Sequence, residues 1–170
     1  MELTKTAREL SEVMLQDELD DEWTSLTPAL ERAIEEVRLT FPGAAIEVRG
    51  SFPQAEVVGN EMLDSVFRNL LQNAVQHNDK NLPQVAVTTS IGDDWVEVRV
   101  ADNGPGVPDE QKEEIFGRGE RGLDSEGTGI GLYLVESLVD GYGGGVWVED
   151  RDPEGSVFVV RLPTVDPAER

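Results

Sequence analysis

The sequence predicts an α+β domain, a mostly antiparallel sheet covered on one face by helices. Three observations predict it. The segment order reads α, α, β, α, β, β, loop, α, β, β, with strands following one another directly and helices inserted between them. The helical segments carry their apolar residues on one side. The 170 residues, 38% of them hydrophobic, suffice for one domain with a sizeable core.

Leu3, Ala7, Leu10 and Met14 are spaced 4, 3 and 4, a heptad-like stripe over residues 3–20 that needs a partner. The run from Asp17 to Glu22 is an acidic break. A second helix is expected from Thr27-Pro28, with Thr27 as N-cap and Pro28 at the first helical position. Leu30, Ala33, Ile34, Val37 and Phe41 form its apolar face, and Pro42-Gly43 ends it. A short strand at 45–49 and a turn-rich link at 50–59 follow. Residues 60–77 give the strongest helix signal: Leu63, Val66, Phe67, Leu70, Leu71 and Ala74 fall on one side, and Asn69, Asn73, Gln76 and His77 on a separate polar stripe. Strands are expected at 84–91 and 95–101. A glycine-rich charged stretch at 102–127 holds one short helix at 109–116, and a further helix spans 129–139. Strands at 145–149 and 157–162 close the domain before a polar tail.

Composition removes several function classes. There is no cysteine, hence no disulfide framework, thiolate metal site or cysteine nucleophile. The single histidine, His77, excludes a His-rich metal cluster. No 18-residue apolar run and no basic–apolar leader are present, so no membrane contact by this segment and no secretory signal are expected. A net charge of −21 repels a polyphosphate backbone, so no nucleic-acid partner is expected. The same charge, carried with 14 Lys and Arg against 35 Asp and Glu, suits a protein kept soluble at high salt, where screening confines repulsion to about 3 Å at 1 M.

Four elements carry chemistry. Asn69 and Asn73 sit at i and i+4 on one helix face, and each amide offers a carbonyl oxygen suited to a hard cation and an NH₂ donor; alone, the stripe reads sooner as a solvated face. Asp102-Asn-Gly104-Pro-Gly106 follows a strand, placing a carboxylate able to accept from an exocyclic amine beside glycines that admit a flat ligand, or else a capped Gly-Pro turn. Gly127-Thr128-Gly129-Ile130-Gly131-Leu132 opens a helix whose backbone N–H groups can face a phosphate. It fits neither a Rossmann fingerprint nor a Walker A loop. Between them, Phe116 can anchor a glycine-hinged loop whose Arg118 and Arg121 suit phosphate oxygens; alone it reads also as a plain surface loop.

These four motifs, in this order, resemble the ATP-binding catalytic (HATPase_c) domain of sensor histidine kinases in the GHKL superfamily. Asn69-Leu-Leu-Gln-Asn73-Ala is similar to the N box, Asp102-x-Gly104-x-Gly106 to the G1 box, Ile115-Phe116 with Arg118 to the F box, and Gly127-Thr-Gly129-x-Gly131-Leu to the G2 box. The resemblance covers residues 27–163. It implies the Bergerat two-layer α/β sandwich, with Asp102 on the adenine amino group and Gly104, Gly106 and Val107 beside the base. It places Asn73 on Mg²⁺ with Asn69 beside it, and Thr128, Gly129, Ile130, Gly131 and Leu132 along the triphosphate. Residues 107–127 would form an ATP lid that brings Arg118 or Arg121 to the phosphates. Two departures stand out: Gln76 replaces a frequent Lys, and His77 replaces a frequent aromatic. Both remain candidate nucleotide contacts.

No phosphoacceptor motif surrounds His77, so the receiving histidine is expected on a phosphoacceptor/dimerisation domain, of the same parent protein or of another chain, with a response regulator downstream. Residues 1–24 resemble the tail of the second helix of such a domain and give the expected dimer contact. The catalytic domain then spans 25–165, followed by a polar tail at 166–170, and a cytoplasmic location is expected. Three rivals share the boxes. A GHKL ATPase of the topoisomerase or mismatch-repair kind carries a Glu where this chain has Asn69, and without that carboxylate water is poorly activated. An anti-sigma-type serine kinase lacks the leading helix. A nucleotide-sensing pseudokinase is disfavoured by the intact boxes.

Overall fold

Residues 26–40 bury Leu26, Ala29, Leu30, Ala33, Ile34 and Val37, the i, i+3, i+4, i+7 spacing of one helix face. In the computed structural model, which describes residues 23–116 and 130–164, this face packs against a second helix with the same kind of stripe. The elements in chain order are β1 (Trp23–Ser25), α1 (Leu26–Thr40), β2 (Ala45–Val48), β3 (Glu56–Val58), α2 (Leu63–Gln76), β4 (Gln84–Ile91) and β5 (Trp95–Asp102). Two 3₁₀ turns follow, Asp109–Gln111 and Glu114–Phe116, and then α3 (Ile130–Gly141), β6 (Gly145–Asp150) and β7 (Ser156–Pro163).

Five strands form one sheet in the order β2-β4-β5-β7-β6. Only β2 and β4 pair in parallel, and α2 lies in the crossover between them, as a parallel connection requires. The other pairs are antiparallel, as expected for strands joined directly or through a helix that returns. Alternation along β5 sends Val96, Val98, Val100 and Asp102 to the helix side and Trp95, Glu97, Arg99 and Ala101 to the open side. The helix side is buried under α2 and α3, with Phe67, Leu70, Leu134, Leu138, Phe158 and Leu162 at its centre. Glu97, on the open side, is nevertheless only 5% exposed, because Arg161 and Arg99 fold over it.

The expected α+β class and one-sided helix layer are those observed. Local differences have physical causes. Trp23–Ser25 is a strand, so the expected boundary at residues 24/25 falls inside β1; these residues add antiparallel to Glu56–Val58. That three-residue strand lies inside the stretch expected to be a plain link, and Val57 also bridges Thr164 on its other edge. Helix α1 starts earlier than Thr27: Ser25 is its N-cap and makes no side-chain bond, while Thr27 Oγ1 donates to Pro53 O at 2.8 Å. Pro28 still falls in the first turn, where its missing N–H has no intrahelical acceptor. The short helix expected at 109–116 is instead the pair of 3₁₀ turns, the tighter geometry used for brief segments. The expected helix at 3–20 and the polar tail at 166–170 lie outside the described residues.

Candidate functional site

Asp102 is the last residue of β5, and the strand alternation turns it to the helix side, where it is 6% exposed. A carboxylate there needs donors. Its Oδ1 accepts the Gly104 N–H at 2.9 Å and the Ser156 N–H at 3.4 Å. Burial pushes the Asp102 carboxyl above its ordinary range, while those two backbone bonds and the Arg151 charge pull the other way without cancelling it. Both of these bonds fall on Oδ1, which leaves Oδ2 to meet a ligand.

A cleft of 180 Å³ opens beside this carboxylate. The last turns of α2 give it Asn73, Ala74 and His77, the loop after β5 gives Pro105, Gly106 and Val107, and Ile115 and Phe158 form an apolar wall. A carboxylate facing an apolar side, with further polar groups at hand, suits a flat heteroaromatic ligand with an amino group. The neighbouring loops are tied together: Asn103 Oδ1 accepts from Asn78 Nδ2 at 2.7 Å and from the Gln84 N–H at 2.9 Å.

Asn69 does not lie on a solvated stripe. It is 6% exposed, its Nδ2 donates to Ser65 O at 2.7 Å, and its Oδ1 faces the start of α3. A Cβ added to Gly131 would sit 2.9 Å from that oxygen, so Gly131 allows α3 to approach α2. Asn73, one turn on, is half-buried in the cleft, where its amide can reach a ligand or a cation.

Residues 59–166 match the family of histidine kinase-, DNA gyrase B- and HSP90-like ATPases. The chain belongs to this family. The domain is 32% identical over 138 residues to the sensor protein CutS of Streptomyces coelicolor, covering 78% of this chain and 33% of that protein. It is 38% identical over 115 residues to the sensor histidine kinase DpiB of Escherichia coli, covering 66% of this chain and 20% of that protein. The chain therefore spans a third or less of the length of these relatives. Among solved structures, the mycobacterial sensor histidine kinase MprB superposes with a TM-score of 0.76 at 27% identity, over 85% of this chain and 97% of that one. The ATP-binding domain of PrrB from Mycobacterium tuberculosis gives 0.70 at 27% identity, over 87% and 100%. Within this family, the relatives and solved structures that the chain resembles are sensor proteins and sensor histidine kinases.

Within the ATPase-family domain, the structure brings Asn73, His77, Asp102, Gly106 and Val107 around one cleft, with Gly104 bonded to Asp102. It places other candidates elsewhere. Gln76 is exposed at the end of α2. Phe116 and Leu132 are buried in the core; the Phe116 ring meets Phe158 edge-on at 6.1 Å and 73°. Helix α3 begins at Ile130. Arg118, Arg121, Gly127, Thr128 and Gly129 lie outside the described residues. Sequence reasoning missed Ser156 and Gly155. Gly155 has φ +117°, and a Cβ there would fall 1.9 Å from Asp102 O; the Gly-Ser pair at a strand start was the available signal. Among the described residues no helix is long and apolar enough to cross a membrane.

Proposed function

We propose that this domain binds Mg²⁺-ATP in the Asp102 cleft and directs the γ-phosphate to a histidine on a phosphoacceptor domain. One observation carries the reading: a buried carboxylate, fixed through Oδ1 by two backbone N–H groups, opens on a cleft that pairs an apolar side, Val107, Ile115 and Phe158, with the polar groups of Asn73 and His77. Such a carboxylate accepts from the adenine amino group, and Val107, Ile115 and Phe158 give the base its apolar surroundings.

The donor set fits Mg²⁺ of the kind that comes with a nucleotide. Mg²⁺ keeps oxygen ligands, most of them from phosphates and water, and needs few from protein. The half-buried Asn73 amide, on the cleft wall, is the residue that would hold it, with Asn69 behind. The ion neutralises phosphate charge when bound. The chain's own part is to bind and orient: α2 presents Asn73, β5 presents Asp102, and the resemblance gives Arg118 or Arg121 the role of a phosphate contact. Phosphoryl transfer rests mainly on such positioning. The histidine, its base and the response regulator downstream belong to partners. The ATP-hydrolysing rival is disfavoured by Asn69, an amide already donating to Ser65 O where that rival needs a carboxylate base. The reading places the domain in the cytoplasm, where ATP is abundant, and the charge of −21 supports a salt-rich one, as in a halophile.

The test mixes the full chain with a histidine phosphoacceptor domain from the same source and γ-labelled ATP in molar salt. Label on histidine is the expected result. Free phosphate with no labelled protein would favour the ATPase, and no nucleotide binding would overturn the reading.

A further inference from the structure

The chain has three lysines, and the two in the described residues both reach the tip of the β6–β7 hairpin. Lys80, just beyond α2, places Nζ 2.9 Å from Glu154 Oε1. Lys112, in the segment between Val107 and Ile115, places Nζ 2.9 Å from Asp150 Oδ1 and also pairs with Asp109. The hairpin tip is thereby tied to the segment after α2 and to the segment after β5. A single exposed ion pair contributes little, but two, one at the end of β6 and one within the five-residue turn, restrain this hairpin tip together.

The turn and the first residue of β7 in turn hold Asp102 by three contacts at two atoms, Oδ1 and the backbone O. The Ser156 N–H reaches the carboxylate, and Gly155 packs its bare Cα against Asp102 O. Arg151 Nη1 donates to Asp102 O at 3.2 Å and to Glu154 O at 3.4 Å. The Arg151 side chain does this from the open face of the sheet, where it lines a hollow of 210 Å³ with Ala45, Gln84 and Ala101, away from the nucleotide cleft. Its position is therefore not explained by contact with a ligand in that cleft.

We infer that Arg151 is a positioning residue for Asp102: it fixes the end of β5 from behind, so that the carboxylate is held at one angle in the cleft, while Lys80 and Lys112 fix the turn that carries it. The role in binding rests on the nucleotide reading above; the hold on the carboxylate does not. The guanidinium charge also favours the ionised carboxylate. The other titratable group lining that cleft is His77, from α2.

The experiment uses the full chain as wild type, Arg151→Met and Arg151→Lys, each also with His77→Asn so that the imidazole does not enter the titration. Two quantities are read: the Asp102 carboxyl titration by ¹³C NMR without nucleotide, and Mg²⁺-ADP affinity by calorimetry. Arg151→Met is expected to move the Asp102 midpoint to higher pH and to weaken Mg²⁺-ADP about 2- to 10-fold, the scale of one hydrogen bond. Arg151→Lys returns the midpoint toward wild type and recovers only part of the affinity, because the shorter side chain does not carry its donors to the place of Nη1, which bonds both Asp102 O and Glu154 O. An unmoved midpoint in Arg151→Met overturns the inference, including when affinity and melting temperature fall together, since that pattern marks a merely structural residue. If the midpoint moves but wild type binds no Mg²⁺-ADP, the hold on the carboxylate stands and the nucleotide reading fails alone.

Discussion

Replacing Asp102 by Asn should move stability and binding in opposite directions. The carboxylate is 6% exposed, and burial is the largest influence on its titration, raising it above the ordinary Asp range. A raised folded value means the protonated form is favoured by folding. Its stabilising contribution is complete below the unfolded carboxylate range and is lost as pH rises through the folded value. At neutral pH the ionised Asp102 is thus a cost to the fold. Asn keeps an oxygen for the Gly104 and Ser156 N–H groups and removes the buried charge, so Asp102→Asn is expected to raise the melting temperature. Binding goes the other way. The Asn NH₂ would face the adenine NH₂, donor against donor, and lose a charge-assisted hydrogen bond of about 1.5–3 kcal/mol, roughly 10- to 150-fold in affinity. Thermal melts and Mg²⁺-ADP calorimetry at pH 7 read both quantities. In wild type the affinity should also fall as pH drops through the Asp102 value, and that acid limb should be absent in the variant. A variant that melts well below wild type, or that binds as tightly with the same pH profile, would refute the reasoning.

Three further outcomes are expected. Gly155→Ala puts a methyl 1.9 Å from Asp102 O at φ +117° and should cost more than about 2 kcal/mol in urea titrations, with Mg²⁺-ADP affinity falling as Asp102 is displaced; unchanged stability would contradict the close approach. Phe116→Ala removes a ring that is 3% exposed and packed on Phe158, at about 3–5 kcal/mol, and Phe116→Leu should cost less than half of that; equal costs would mean that ring packing is not what matters. The charge of −21 predicts a melting temperature that rises steadily from dilute buffer to about 1 M NaCl, where the screening length falls from tens of ångströms to about 3 Å. A flat response would show that self-repulsion is not limiting.

The elements legible in the sequence are those with a full period to read. The strand at 84–91 appears with its expected bounds, and the apolar stripe of α2 is buried residue for residue. The site was legible where chemistry sits on such an element: Asp102 at a strand end and Asn73 on a helix. The misreadings have a common physical cause, which is contact between segments far apart in the chain. Three residues at 56–58 show no periodicity and become a strand only because Trp23–Ser25 and Thr164 lie on either side. Thr27 has the chemistry of a cap, but Pro53 O competes for its hydroxyl. Asn69 looks solvated by helical angle until α3 covers it, an approach that depends on Gly131. Ser156 and Gly155 reach Asp102 only through the pairing of β5 with β7.

The strand Glu56–Val58 has Trp23–Ser25 on one edge and a bridge to Thr164 on the other. The first and last described residues are therefore separated by about two strand spacings, roughly 10 Å. Polypeptide joined before residue 23 and after residue 164 would enter and leave at one corner of the domain. A domain hung from a single corner can swing as a rigid body without straining its sheet, carrying its cleft through an arc. The same closeness of entry and exit makes residues 23–164 a natural unit for insertion into a loop of another protein, since a host would need to part its chain by little more than the width of a hairpin.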